Sequence, residues 1–285
     1  MRGWGARRGS LDPQAATHNE QVTTGISWKL PRIRVGCPFL HGWPVNLLLI
    51  DPRELSGDRI TLRDRRAVHL RRVLRVTVGR TIRAGLIRGP RLVLRVTAVA
   101  DAAVELVVED RDTQPAVAPD VDVILAVPRP KVLARTLELS AAMGVRRIDL
   151  INAWRVDKSY LGSRRLAAES LREALVRGCE QGATTWLPDI AVHKLLMPWL
   201  ASADFGHSNW RVIAHPRTAT AIEQVPGPPG HAVIAIGPEG GWIDREVASF
   251  ADCGFVPATL GMGVLRVEAA LTSAIAQCRL LKRLS

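Results

Sequence analysis

Two glycine-bearing segments near the C-terminus, IGPEGGW (236–242) and LGMGVLRVEAA (260–270), hold the residue types best suited to chemistry in this 285-residue chain. Each lies where an apolar, strand-like run, HAVIAI (231–236) or FVPATL (255–260), gives way to a helix-like one. Glycine leaves backbone amides and carbonyls open to a ligand because no Cβ stands in the way. In an open α/β sheet such loops sit at the C-terminal ends of strands, where ligands bind. Two of them about 20 residues apart predict two walls of one pocket. GPEGG alone also reads as a tight turn into a helix, with Asp244 and Glu246 in the first turn where acids suit the helix dipole.

The elements that must position these loops alternate in kind. VDVILAV (121–127) precedes a helix from Lys131 to about Met143, and RIDLIN (147–152) precedes one from Arg164 to about Gln181. DIAV (189–192) precedes a short helix around 194–203; RVIAH (211–215), HAVIAI and FVPATL follow, and a helix from about Val267 to Leu284 closes the chain. Apolar strands alternating with helices predict a parallel sheet covered on both faces, hence an α/β domain over 121–285. TQPAVAPD (113–120) has linker composition. Before it, residues 45–112 read as short strands (NLLLI, RITL, TIRAGLI, RLVLRVTAVA, AVELVVED) separated by turns, a small β-barrel-like domain. One helix-like insert, DRRAVHLRRVLRV (64–76), places Ala67, Val68, Leu70, Val73 and Leu74 on an apolar face. Residues 1–44 show no periodicity and read as a disordered extension or a mis-assigned start, Val45 being a candidate initiator.

Charge points to a polyanionic partner. The net charge is +12, and arginine supplies nearly all of the cationic excess, only five of the 39 basic residues being lysine. Arginine favours bidentate phosphate contacts and stacks on bases; a GC-rich genome is the alternative reading of the arginine-for-lysine choice, though not of the net charge. Arg59 to Arg95 holds twelve arginines and a single acid, Asp64, and this run predicts a phosphate-binding surface over a merely solvated one. The four cysteines (Cys37, Cys179, Cys253, Cys278) are far apart and form no CxxC pair, so neither zinc nor a disulfide framework is predicted. Reduced thiols in a cytoplasmic protein are the expectation, with Cys179 and Cys278 in helix cores. No run is long and apolar enough to span a bilayer.

Taken together, the paired loops, with LR-x-E opening the last helix, resemble the RsmE family of SPOUT-class methyltransferases. The family's IGPEGG-(x)4-E matches Ile236 to Gly241 and Glu246; its LG-(x)3-LR-x-E matches Leu260, Gly261, Leu265, Arg266 and Glu268. The likeness covers about 46–283, including HLRRVLR (69–75), the run from Pro130 to Ile148, Glu180-Gln181 with Leu187-Pro188, and AHPR (214–217). Many members carry arginine where this chain has Gly263 and threonine where it has Ala269. Leu139 and Ala142 replace a charged pair, and 182–185 (GATT) lacks a common basic residue.

The resemblance implies a C-terminal SPOUT-type α/β domain knotted as a deep trefoil and a small N-terminal PUA-like β-barrel that holds RNA. It implies S-adenosyl-L-methionine (SAM) as cofactor, no metal, and methylation of N3 of a uridine in 16S ribosomal RNA of the small subunit, by a cytoplasmic homodimer. Ile236, Leu260 and Leu265 would flank the adenine, and backbone around Gly237, Glu239, Gly240, Gly241, Gly261 and Met262 would hold its edges and ribose. Uridine N3 carries a proton that must leave, so a base or a cation that stabilises the developing anion lowers the barrier. Arg266 is the candidate facing the uracil carbonyls or phosphate, with Glu268 orienting it or accepting the proton; a structural Arg–Glu pair at a helix N-terminus is the plain alternative. Glu239 reads as a pocket acid or a helix-capping side chain, and His215 as a structural histidine at a strand end. His69, Arg71, Arg72 and Arg75 are the candidate RNA contacts. Two other functions stay open: a SPOUT enzyme with another RNA target, and a non-catalytic RNA-binding protein of ribosome assembly.

Overall fold

Every residue of β7 (Val121–Ala126) is buried, as expected of a strand covered on both faces. β7 lies inside a six-stranded sheet of order β12-β10-β11-β7-β8-β9, built with β8 (Arg147–Ile151), β9 (Asp189–His193), β10 (Trp210–Ala214), β11 (Ala232–Ile236) and β12 (Val256–Ala258). All its pairings are parallel. This is a computed structural model describing residues 47–113, 116–206, 208–227 and 230–285. The segment read as an extension or mis-assigned start (1–44), with Cys37, lies outside the described residues.

Parallel strands need crossovers, and helices supply them. These are α2 (Pro130–Ala142), α4 (Ala168–Gln181), α5 (Leu196–Ser202), α6 (Asp244–Asp252) and α7 (Val267–Leu284). A one-turn helix, α3 (Lys158–Leu161), follows β8. Proline starts α2, where its missing N–H costs nothing. Gly178 and Gly182 let α4 lie directly on the α2 backbone, because a Cβ at either position would strike the Glu138 or Ala142 carbonyl. Burial pushes the Cys179 thiol up to about 12 and the Cys278 thiol up to about 11, so both are inert core residues.

The N-terminal strands form a second six-stranded sheet of order β1-β4-β5-β6-β3-β2. They are β1 (Leu48–Ile50), β2 (Leu55–Ser56), β3 (Arg59–Leu62), β4 (Thr81–Leu86), β5 (Arg91–Val99) and β6 (Val104–Arg111). Register shifts at Val93/Leu94 and Val96/Ala98 interrupt the β5–β6 ladder, and bulges of this kind bend and twist a sheet. Its apolar residues, among them Ile50, Leu62, Leu94 and Leu106, form a core separate from that of the parallel sheet.

The helical insert departs from the sequence expectation. It is a single turn, α1 (Arg65–Val68), continued as a π-helical turn over His69–Val73. Of the five residues expected on the apolar face only Ala67 and Leu70 are buried, while Val68, Val73 and Leu74 are exposed. The five-residue π turn rotates the later side chains off the face a regular α-helix would have kept.

The two sheets are stitched together around residues 180–189. Leu47 N–H donates to the Glu180 carbonyl at 3.0 Å, and Arg88 N–H to the Thr185 carbonyl at 2.7 Å. The Arg88 guanidinium reaches the Leu187 carbonyl at 3.1 Å and Asp189 at 2.6 Å, over the Trp186 ring. Arg65 pairs with Glu180 at 2.9 Å, and Arg172 with Asp51 at 2.8 Å. The Thr185 methyl fills the space beside Gly85 that a Cβ would need.

Candidate active site

The two glycine loops open into one cavity of about 940 Å³. Its walls come from the loops that follow β7, β8, β10, β11 and β12, all at the C-terminal edge of the parallel sheet. Of the predicted cofactor residues, Ile236, Gly237, Glu239, Gly240, Gly241, Leu260 and Leu265 line it, as do Arg266 and Glu268. Gly261 and Met262 do not, and Met262 projects fully into solvent.

The first loop is a tight turn held by a rigid support. Gly241 N–H donates to the Pro238 carbonyl at 2.8 Å, and Gly241 takes φ +73°, a conformation that favours glycine. A Cβ on Gly237 would come within 3.0 Å of the Trp242 indole, which is buried and donates through Nε1 to the Ala214 carbonyl at 3.2 Å. Arg155, from the loop after β8, donates to the Gly240 carbonyl at 2.7 Å. The Glu239 carboxylate accepts the Arg129 N–H at 3.0 Å, so it tethers the residue preceding α2 while still facing the cavity.

Glu246 occupies the last position of the IGPEGG-(x)4-E motif and is 1 % exposed. One carboxylate oxygen accepts the Trp154 N–H at 2.7 Å and the other the Ile243 N–H at 3.0 Å. It caps α6 and fastens that helix to the β8 loop. This motif acid is therefore fully engaged in supporting the wall.

The second loop is pinned at its base and open at its tip. Gln277 of α7 donates to the Leu260 carbonyl at 2.9 Å, and the Thr259 hydroxyl donates to the Gly261 carbonyl at 2.8 Å. Beyond this point Met262, Val264 and Leu265 are exposed apolar side chains. Nothing lies within 4 Å of the place a Gly263 Cβ would occupy. Arg266 stands exposed just before α7, and Glu268 is half-buried in its first turn. Among the described residues their side chains form no ion pair with each other.

His215, at the end of β10, also lines the cavity. Its backbone N–H donates to the Ala258 carbonyl at 2.9 Å, while its ring Nδ1 is buried without a hydrogen-bond partner. Burial pushes its pKa down, Arg217 adds to the depression, and Asp244 opposes it. These surroundings favour the neutral ring over the protonated one. This differs from the satisfied structural histidine that the sequence suggests.

Sequence reasoning missed Arg129, Arg155 and Trp242, which frame the first loop. Arg155 follows the strand RIDLI and Trp242 directly follows Gly241, so position at a strand end was the available signal.

Of the candidate RNA residues, Arg72 and Arg75 are exposed, and His69 is half-buried in the π turn. Arg71 instead pairs with Asp101, donating to both its carboxylate and its carbonyl. The run from Arg59 to Arg95 is thus less uncompensated than it reads: Glu54, Asp101, Glu109, Glu180 and Asp189 pair with Arg66, Arg71, Arg95, Arg65 and Arg88. These acids lie outside the run in sequence and reach it only through the fold.

The cavity suits a ligand such as SAM on its own features. Its walls offer backbone and apolar surface, and Gly241 has open space where a Cβ would stand, while Gly237 lets the Trp242 indole pack close behind the loop. Among the described residues no group of three or more His, Cys, Asp or Glu side chains is placed to hold a metal ion. No described helix is long and apolar enough to cross a membrane.

Comparison with known proteins gives concordant matches. Residues 116–279 match the model of the RNA methyltransferase domain. Ribosomal RNA small subunit methyltransferase E of Treponema pallidum is 27% identical over 239 residues, covering 81% of this chain and 90% of that protein. Ribosomal RNA small subunit methyltransferase E 1 of Borreliella burgdorferi is 26% identical over 233 residues, covering 81% of this chain and 95% of that protein. The crystal structure of ribosomal RNA small subunit methyltransferase E from Neisseria gonorrhoeae bound to SAM superposes with a TM-score of 0.71. The two chains are 26% identical, with 84% of this chain and 98% of that one covered.

Proposed function

The chain belongs to the RNA methyltransferase domain family, and from that membership we propose that it is a SAM-dependent ribosomal RNA methyltransferase whose target atom is N3 of a uridine in 16S rRNA. The observation that carries this reading is the meeting of the two glycine loops in one cavity at the C-terminal edge of the parallel sheet. When bound, SAM supplies a methyl group already activated by its sulfonium. The chain's own work is then placement, electrostatics and management of one proton.

In this reading the turn over Pro238–Gly241 and the pinned base of the second loop hold the cofactor through backbone groups. Ile236, Leu260 and Leu265 supply apolar surface beside them. Arg266, exposed at the cavity mouth, stabilises negative charge on the uracil as N3 loses its proton. Glu268, one helical step inward, orients Arg266 or takes that proton. His215, whose surroundings favour its neutral form, lines the same cavity without adding to its positive charge. Arg72 and Arg75, exposed on and just after the π turn of the N-terminal region, bind phosphate. Exposed Met262, Val264 and Leu265 on the second loop support a homodimer in which a second copy packs against these side chains.

The deciding experiment has two stages. Calorimetry should detect one SAM per chain, and absence of binding refutes the enzyme. Nucleoside mass spectrometry of 16S rRNA from a deletion strain should then show loss of 3-methyluridine; persistence of that nucleoside refutes the target.

A further inference from the structure

Trp154 is 78 % exposed, although tryptophan is on average a highly buried residue. It stands on the loop after β8, whose backbone is tied down on both sides of the cavity wall. Its N–H is fixed to buried Glu246, and the next residue, Arg155, is fixed to the Gly240 carbonyl. Trp154 is therefore held directly beside the first cavity loop. The neighbouring strand end is tied in as well: Asn152 N–H donates to the His193 carbonyl at 3.1 Å, and its side chain to the Lys194 carbonyl at 3.1 Å. That tie aligns exposed Lys194 and Leu195 with the Trp154 loop along the same edge of the sheet. Arg155 and Lys158 are exposed there too. The loops beside the cavity thus present one exposed aromatic ring on a tethered backbone, with several cations along the same edge of the sheet.

We propose that Trp154 is a stacking platform for an unpaired base flanking the target nucleotide in the rRNA, with Arg155, Lys158 and Lys194 positioned for the adjoining phosphates. A base presented for methylation at N3 must leave its partner and its stack, and the base beside it then loses a stacking neighbour that an aromatic ring can replace. Single-stranded RNA is recognised in this way, by aromatic rings that receive splayed bases and by cations that follow the backbone. Charge complementarity and continuity with the cavity favour RNA as the occupant over a protein partner. The tethers on the Trp154 N–H and on Arg155 hold the backbone that carries the ring before RNA arrives, which lowers the ordering cost of binding.

The inference rests on the reading of the cavity as an RNA methylation site, and the test separates the two. Full-length wild type, Trp154→Phe and Trp154→Ala are compared for SAM affinity by calorimetry, for KM on 16S rRNA or small-subunit particles, and for mass by sedimentation. Trp154→Ala should raise the RNA KM about 5- to 140-fold, the range to which stacking of ~1–3 kcal/mol converts. Trp154→Phe should recover most of the loss, and SAM affinity should be equal in all three. The salt slope of RNA binding should not change with Trp154→Ala, because stacking releases no counterions, whereas Lys158→Gln with Lys194→Gln should lower it. An unchanged KM in Trp154→Ala overturns the platform while leaving the enzyme intact. A change of oligomeric mass in that variant, with no effect on RNA binding at equal mass, assigns the ring to a protein contact and also overturns it. If wild type binds SAM but methylates no rRNA, the underlying reading falls and the platform with it.

Discussion

The carboxylate of Glu246 holds the backbone of Trp154 at 2.7 Å, joining the loop after β8 to the start of α6. Its second oxygen holds Ile243 N–H, so one buried side chain closes the outer wall of the cavity. Glu246→Ala leaves two donors without their acceptor, and hydrogen bonds to charged groups contribute roughly 1.5–3 kcal/mol each. We expect a loss of about 2–4 kcal/mol in chemical unfolding and a weaker SAM affinity by calorimetry. Wild-type stability in Glu246→Ala would show that the wall does not depend on this acid.

The two loops should answer differently to added side chains. Gly241→Ala places a Cβ at φ +73°, a strain of about 1–2 kcal/mol. Calorimetry should show SAM affinity down by about tenfold, or ~1.4 kcal/mol. Gly263→Arg meets nothing within 4 Å of its Cβ. It should leave stability within about 0.5 kcal/mol and raise RNA affinity through one more cation. A Gly263→Arg protein with lower RNA affinity would count against the mouth as the RNA entrance.

In the helical insert between β3 and β4, Arg72 and Arg75 should carry the salt dependence of RNA binding, since Arg71 is occupied by Asp101. In filter binding across a salt series, Arg72→Gln and Arg75→Gln should each lower the log–log slope by about 0.7–0.9, the effect of one phosphate left un-neutralised. Arg71→Gln should leave the slope nearly unchanged. A large slope change from Arg71 alone would reverse this assignment.

Acid should weaken cofactor binding through His215. Its folded pKa lies below the ordinary 6.5, so the folded state binds fewer protons than the unfolded one in that range. The contribution of the neutral ring to stability is complete above pH 6.5 and is lost as pH falls below it toward the folded value. A protonated ring would also place a second positive charge beside the sulfonium. SAM affinity measured from about pH 8 to about pH 5.5 should therefore decline at the acid end, and His215→Gln should flatten the decline. An identical pH profile in the variant would remove His215 from the site's electrostatics.

Much of the architecture is legible because strand burial and helix crossovers leave a plain record: VDVILAV, RIDLIN and HAVIAI all become interior or near-interior strands of the parallel sheet. The meeting of loops 236–242 and 260–270 is also legible, from glycine at successive strand ends. What local patterning does not contain is the partner supplied by tertiary contact. Arg155 on Gly240, Gln277 on Leu260 and the acids that neutralise part of the basic run all act across long sequence separations. The π turn after Val68 is a subtler failure, because one extra residue per turn alters facing without altering composition. The two-residue strand β2 gives too short a run for alternation to register.

The seam at residues 180–189 has a consequence for how a target is chosen. Backbone bonds from Leu47 and Arg88, together with the Arg88–Asp189 pair, bind the N-terminal sheet to the parallel sheet within one compact unit. If the N-terminal sheet grips RNA and the cavity modifies it, grip and chemistry are separated by a fixed length. Such a molecule works as a caliper: it selects the nucleotide that a folded RNA presents at the correct reach and angle, and a base of the right identity at the wrong reach goes unread.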